Sequence, residues 1–251
     1  MDQKRIIDEF KELVSIEVHS RDERSIADVL KEKLTALGLT VTEDKAGEVL
    51  GGNTGNLYAQ LPGSTDGEPV LFSAHMDRVG NHGHIVPLVK EEEGKIVSDG
   101  TSILAGDDIG GVAAILAMLR EVKEKQIPHG PIEVAFSVCE ETGVEGSRQY
   151  DFSKFRSKSA FVYDASGKAG TIVLAAPSKG RVTIRVHGVT AHAGNEPEKG
   201  LNALKVAADL IMQLPDGRLS PVSTANFSII EAGSATNVVC DLVTITGEQR
   251  S

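Results

Sequence analysis

The sequence predicts an α/β protein, a mixed sheet flanked by helices, followed by a smaller α+β unit. Three observations carry that prediction. Hydrophobic runs of strand length alternate with segments of helical period over residues 1–177. Several of those runs end at a histidine or an acid that opens a loop. The alternation then breaks at the turn-rich Ala176-Pro177-Ser178-Lys179-Gly180, after which the order of elements changes.

Helices are expected over 3–16 and 22–37. MDQKRIIDEFKELVSI spaces its apolar residues at helical intervals between charges, which is an amphipathic helix and not a signal peptide. Strands follow near 39–43, 55–60, 69–74 and 85–89, with Glu91-Glu92-Glu93-Gly94-Lys95 as a solvated hairpin turn. IGGVAAILAML starts a helix over 109–125, and strands are expected at 132–138, 160–163 and 171–175. These make a first domain, 1–177. In the second, 178–251, RVTIRVHG alternates as a half-exposed strand does, and a helix over 201–213 and strands at 224–231 and 238–247 complete it. That order is the first part of a β-α-β-β-α-β ferredoxin-like unit, without its second helix and last strand.

A chain of 251 residues, 40% hydrophobic and 4% aromatic, has the composition of an ordinary globular α/β protein. Its formal net charge of −10 argues against nucleic acid or an anionic membrane as partner. No run approaches the ~18 consecutive apolar residues of a membrane span. Cys139 and Cys240 are too few for a disulfide framework, so a reduced, cytoplasmic compartment is expected.

The chemistry sits where strands end. His75-Met76-Asp77 follows PVLFSA, Gly106-Asp107-Asp108 precedes IGGVAAILAML, Cys139-Glu140-Glu141 follows IEVAFSV, and Asp164 follows AFVY. Open α/β sheets bind ligands beyond the carboxyl ends of their strands, so such residues converge in space. Histidine, aspartate and glutamate converging there point to a metal site with a general base beside it. Taken singly, His75 is an ordinary strand-end histidine, Asp77 a turn former, and Asp107 or Asp108 an N-cap, a role compatible with ligation. The pair Glu140-Glu141 after a hydrophobic strand costs electrostatic free energy unless a cation or proton offsets it.

At these positions the chain resembles the peptidase T-like members of the dinuclear zinc peptidase superfamily, which also contains carboxypeptidase G, aminoacylase and succinyl-diaminopimelate desuccinylase. The resemblance runs through SAHMDRV, DGTSILAGDDIGGVAAIL, VCEETGVEGSR, VYDASG, HGVTAHAGNEPEKGLNAL, SATNVV and ITGEQRS. A series of ordered motifs is far more specific than one HxD. It implies a zinc-peptidase catalytic domain with an inserted ferredoxin-like lid, the dimerisation domain, incomplete in this chain. It implies two zinc ions, with cobalt or manganese as substitutes. Asp107 matches the carboxylate that bridges the metals, His75 and Asp164 the terminal ligands of one, and Glu141 a ligand of the other. Glu140 matches the general base, and Asp77 the group that orients the His75 imidazole. A cis peptide bond between Asp107 and Asp108 is also implied. His192, in AHAGNEP, matches a histidine that enters the active site of the neighbouring subunit, with a neutral loop histidine as its plainer reading. Asn237 matches a substrate-contacting asparagine, otherwise a turn residue. Arg250 matches an arginine that holds a substrate carboxylate.

The implied activity is hydrolysis of a peptide bond in small peptides, tripeptide aminopeptidase-like, by a water bridging two zinc ions with Glu140 as general base. The same core serves carboxypeptidases and N-acyl-amino-acid amidohydrolases, and an inactive fragment or pseudoenzyme is a further alternative. SILAGDD and the GNEPEKG loop look most like the peptidase T branch. The expected partners are a small peptide and a second copy, as a homodimer through the lid. Many relatives have lysine where this chain has Ile109, which touches no ligand. Family members also run on past the position of Ser251 to a last metal ligand, a histidine, whereas His192 is the final histidine here. The sequence therefore reads as the N-terminal portion of a longer protein. A nucleotide-binding module is disfavoured, because GDDIGG lacks a G-x-G-x-x-G pattern and its acids would repel phosphate.

Overall fold

The structure is a computed structural model that describes residues 2–80, 83–168 and 170–251; Met1, Asn81, His82 and Ala169 lie outside the described residues. The chain divides into two compact units, one up to residue 168 and one from Gly170. The segment 171–178, which forms no helix or strand, goes with the second unit in this division, whereas the turn-rich sequence places a boundary between 177 and 178.

The first unit opens with two amphipathic helices. α1 (Gln3–Val14) buries Phe10, Leu13 and Val14, and α2 (Arg24–Ala36) buries Ile26, Ala27, Leu30 and Leu34. That i, i+3, i+4 spacing is one helical face turned to the core. Next come β1 (Thr40–Glu43), α3 (Ala46–Leu50), β2 (Leu57–Leu61) and β3 (Val70–His75). β4 (Pro87–Lys90) and β5 (Lys95–Ser98) form a separate hairpin around the expected turn. α4 (Gly106–Glu124), β6 (Ile132–Ser137) and β7 (Ser159–Val162) complete the unit.

The sheet order is β1-β2-β6-β3-β7. β3 is parallel to both β6 and β7, and the pairings of β2 with β1 and β6 are antiparallel, so the sheet is mixed as the alternation predicts. β6 lies between β2 and β3 and is buried along its whole length, which is why IEVAFS reads as a nearly unbroken apolar run. α4 packs on β3 and α1 and buries Ile109, Val112, Ala113, Ile115 and Leu116.

Because β3, β6 and β7 run the same way, their carboxyl ends at His75, Ser137 and Val162 lie along one edge. The start of α4 meets that edge closely. A Cβ on Gly111 would lie 2.7 Å from the Tyr163 Cβ and 2.8 Å from its carbonyl oxygen, so only glycine fits. Behind His75-Met76-Asp77, the buried Arg78 donates from Nε to the Val18 carbonyl at 2.8 Å and from Nη1 to Val14 at 3.1 Å, which fixes the motif against the end of α1.

The second unit contains β8 (Lys179–His187), α5 (Ala203–Ile211), the short β9 (Gly217–Arg218), β10 (Thr224–Ala232) and β11 (Leu242–Arg250). They form an antiparallel sheet in the order β8-β11-β10-β9. Ala203, Ala207 and Leu210 of α5 pack on Ile184, Val186, Val243 and Ile245. The neighbour order matches the β-α-β-β part of a ferredoxin-like unit, and the outer edge of β8 has no partner strand among the described residues.

Two expectations for elements are corrected. Residues 171–175 form no strand: Ile172, Val173 and Leu174 are exposed, and a β-branched run without a hydrogen-bonded neighbour does not make a ladder. The last strand starts at Leu242 and not at 238, because Val239 N–H bonds the Ala191 carbonyl at 3.0 Å and the Cys240 carbonyl receives Ala203 N–H at 2.8 Å. α3, β5 and β9 lie outside the elements the sequence predicts. Among the described residues, no helix is long and apolar enough to cross a membrane.

Candidate metal centre

His75 is the hub. It closes β3 at 2% exposure, and its backbone N–H donates to Asp108 Oδ2 at 3.1 Å. Its Nδ1 lies 2.9 Å from the Asp77 carbonyl oxygen and 3.3 Å from Asp77 Oδ1. That contact leaves Nε2 facing the acids: Asp107 Oδ1 at 3.0 Å, Glu140 Oε2 at 3.9 Å and Asp164 Oδ1 at 3.9 Å. Two donor groups result, His75 with Asp107 and Glu141, and His75 with Glu140 and Asp164; within each group the donor atoms lie within 4.8 Å of one another.

Local structure delivers each of these side chains. Asp107 and Asp108 stand at the start of α4 with non-helical backbone angles, and the peptide bond between them is cis. Asp108 turns inward and is buried, while Asp107 faces the pocket. Glu140 and Glu141 leave the end of β6 in a loop whose amides are held by Asp77: Glu140 N–H donates to Oδ1 at 2.9 Å and Glu141 N–H to Oδ2 at 3.1 Å. Asn56, fully buried, ties the same loop down by accepting Val138 N–H at 3.0 Å and donating to the Gly146 carbonyl at 2.9 Å. Asp164 stands two residues beyond the end of β7, after Tyr163.

The electrostatics show an excess of negative charge. Burial, together with the neighbouring acids Asp107 and Glu140, pushes Asp164 up to about 6. Burial lifts Asp108 to about 8, and burial with the Asp107 charge raises Glu141. Burial alone would lower His75, but Asp77, Asp108 and Asp107 outweigh it and raise the imidazole to about 10. Asp77 moves the other way: burial would raise it, and its bonds to His75, Ser20 and the Glu140 amide hold it below the usual carboxylate range. A cluster of oxygen donors around one imidazole, in which burial and like charge push Asp164 and Glu141 upward, fits divalent cations.

The sequence reading missed Ser20, whose hydroxyl donates to Asp77 Oδ2 at 2.6 Å across 57 residues of chain. No local pattern marks such a contact. In the second unit, the structure brings His192 and Asn237 together. Ala193 N–H donates to the Asn237 carbonyl at 3.0 Å, and His192 pairs with Val238 in an isolated bridge. His192 Nδ1 accepts the N–H groups of Gly194 and Asn195 at 3.2 Å each, which leaves Nε2 as the protonated nitrogen of the neutral ring. Arg250 is not beside them. It ends β11, bonded through Nε to Glu248 Oε1 at 2.9 Å, and a strand of this length places it on the order of 25 Å from the strand's other end.

Comparison with known proteins agrees with this architecture. Residues 56–194 match Peptidase family M28 and residues 177–251 match the peptidase dimerisation domain of the M20 type. The chain is 39% identical over its whole length to the uncharacterized protein YqjE of Bacillus subtilis. It superposes on the crystal structure of aminopeptidase PepT from Bacillus cereus with a TM-score of 0.91 and 42% identity over 100% of this chain. The chain belongs to the peptidase T-like family of M20 peptidases. A tripeptidase from Staphylococcus aureus superposes with a TM-score of 0.92 and 36% identity, again over 100% of this chain. This member of the family spans 67% of the length of each of those three relatives and 60% of others that it matches.

Proposed function

We propose that this chain carries the catalytic machinery of a dinuclear zinc aminopeptidase acting on short peptides, tripeptides among them, in a protein that works as a homodimer. The convergence of two donor groups on the single imidazole of His75 carries this reading. In it, His75, Asp107, Glu141 and Asp164 would hold the metal, with Asp107 as the carboxylate shared by two ions. When bound, two divalent cations would acidify a water and polarise the scissile carbonyl.

The remaining work falls to the chain's own residues. Asp77 presents the His75 Nε2 lone pair to the pocket by occupying Nδ1. Glu140 takes the proton of the attacking water and delivers it to the leaving amine, which expels the product without a covalent intermediate. His192, with Nε2–H free to donate, stabilises the oxyanion, and Asn237 beside it contacts the substrate. Arg250 binds a substrate carboxylate with its guanidinium. The length of β11 between Arg250 and the His192–Asn237 pair supports assigning the two to different copies at one site, since a tripeptide spans only ~10 Å.

The test is zinc content together with substrate choice, measured on the protein expressed from its whole gene. Two zinc ions per chain and cleavage of tripeptides with a free N-terminus, lost on N-acetylation, are expected. Cleavage of N-acylated peptides at their C-terminal residue would replace the aminopeptidase reading with a carboxypeptidase or amidohydrolase one. Absence of bound metal and of any peptide cleavage would overturn it altogether.

A further inference from the structure

Glu23 is wholly buried, although it stands at the start of a helix where a glutamate would ordinarily face water. It occupies the N-cap position of α2 but makes no side-chain bond to its own helix. Its side chain turns inward. Oε1 accepts the Cys139 N–H at 3.0 Å and the Arg21 N–H at 3.0 Å, with the Cys139 Sγ at 3.6 Å, and Oε2 is buried without a hydrogen-bond partner. A polar group buried this deeply is costly unless it is bonded, and what is bonded here is the acceptor oxygen Oε1.

What it accepts is the amide of the residue that turns the loop. Cys139 has φ of 51°, in the left-handed region that a residue bearing a Cβ rarely adopts. There the chain leaves β6 and swings Glu140 and Glu141 toward His75. Three successive amides are thus held by two carboxylates, Cys139 by Glu23 and Glu140 and Glu141 by Asp77. The Ser20–Glu23 segment touches this assembly twice more: Ser20 Oγ–H donates to Asp77 Oδ2 at 2.6 Å, and Arg21 Nη2 to Glu145 Oε2 at 3.1 Å. Ser20-Arg21-Asp22-Glu23 has the S-x-x-E spacing of a helix capping box, yet both side chains serve the pocket and not the helix.

We propose that Glu23 is a positioning residue: its carboxylate holds the left-handed turn at Cys139 and so aims Glu140 and Glu141 into the metal pocket, while Ser20 of the same segment braces Asp77. The role of the aimed residues rests on the metallopeptidase reading above. The holding of the turn does not, and the experiment separates the two.

Three variants of the protein expressed from its whole gene test it: Glu23→Gln, Glu23→Asp and Glu23→Leu. Glutamine keeps an acceptor oxygen at the same reach, aspartate falls one methylene short, and leucine has no acceptor. Hydrogen exchange of the metal-free protein should be about tenfold or more faster across residues 138–142 in Glu23→Asp and Glu23→Leu, near wild type in Glu23→Gln, and unchanged in α5. With zinc bound, Glu23→Asp should lose about tenfold or more in kcat with KM within about twofold, and Glu23→Gln should restore it. If Glu23→Leu does not fold, the contrast between Asp and Gln decides alone. Equal exchange in Glu23→Asp and wild type, or equal kcat in Glu23→Asp and Glu23→Gln, would overturn the proposal. A wild-type protein that binds no zinc and cleaves no peptide would sink the metallopeptidase reading, and the exchange data would still decide whether Glu23 holds the turn.

Discussion

Glu140 and Glu141 are adjacent and share Asp77 as the acceptor of their amides, yet their carboxylates join different donor groups around His75. In the proposed reading Glu140 is the general base and Glu141 the ligand, so Glu140→Gln should cut turnover by about 10²–10⁴-fold while zinc stays bound. Glu141→Gln should lose zinc; elemental analysis beside kcat checks both, and zinc loss in Glu140→Gln would exchange the two roles. Gly111 is a second sensitive position. An alanine Cβ would lie 2.3 Å from Asp108 Oδ1 as well as within 3 Å of Tyr163, one residue before Asp164. Overpacking of this kind costs about 1–3 kcal/mol, so Gly111→Ala should lower stability in urea by that amount and weaken zinc binding by titration calorimetry; unchanged values for both would show that α4 can shift without cost. At this scale the sequence was legible where a polar residue interrupts a hydrophobic run, as at His75, Asp107, Glu140 and Asp164. It was silent about Ser20, whose partner lies 57 positions away and leaves no period to read.

Elements are joined by contacts of the same long-range kind. Glu43, at the end of β1, receives Arg24 Nη2 at 2.6 Å and Nη1 at 3.0 Å, the Lys31 ammonium, the Thr54 hydroxyl at 2.9 Å and the Gly55 amide at 3.0 Å, which ties α2 to the sheet. Burial would raise Glu43, but these partners outweigh it and hold the carboxyl well below its ordinary value of 4.5. A carboxyl whose folded pKa is depressed contributes stability that is present above the unfolded pKa and is lost as pH falls through the folded one. Glu43→Gln should thus cost about 2–3 kcal/mol at neutral pH, with the difference from wild type shrinking below about pH 4.5. Urea denaturation at pH 7 and pH 3.5 measures it, and a pH-independent difference would remove charge from the explanation. The helices α1, α2 and α4 could be read from their periodicity, and β6 from its unbroken apolar run between turn signals. The short α3 could not, because a five-residue helix carries too few apolar positions to show a period. The strand expected at 171–175 failed for a different reason: its residues have strand propensity, and propensity supplies no partner.

For the whole molecule the reading is a dimer whose active sites each draw on two copies. If His192 acts across the interface and Glu140 within its own chain, mixing equal amounts of inactive Glu140→Gln and His192→Ala proteins with exchange of subunits should restore roughly a quarter of wild-type activity, since half of the molecules are then mixed and each mixed molecule has one intact site. No recovery would place both residues in one chain, and a monomer by light scattering would remove His192 from the mechanism. The acids around His75 make a separate demand on pH. Asp164 at about 6 and Asp108 at about 8 are raised from an ordinary 3.8 in the metal-free fold. A group with a raised folded pKa contributes stability below its unfolded pKa and loses it as pH rises through the folded value, so the metal-free protein should weaken between about pH 4 and 8. His75, raised to about 10, must also release the proton on Nε2 before that nitrogen can ligate. In the proposed reading bound zinc would supply the positive charge that those protons supply in its absence, so the loaded protein should escape this loss and zinc affinity should climb with pH. Saturation at 100 times Kd is worth about 2.7 kcal/mol, and the increase in melting temperature on adding zinc should therefore grow steadily from pH 5 to pH 8 at fixed metal concentration. Differential scanning fluorimetry with and without a chelator measures it. An increase in melting temperature independent of pH would mean that zinc binds away from His75 and its carboxylates.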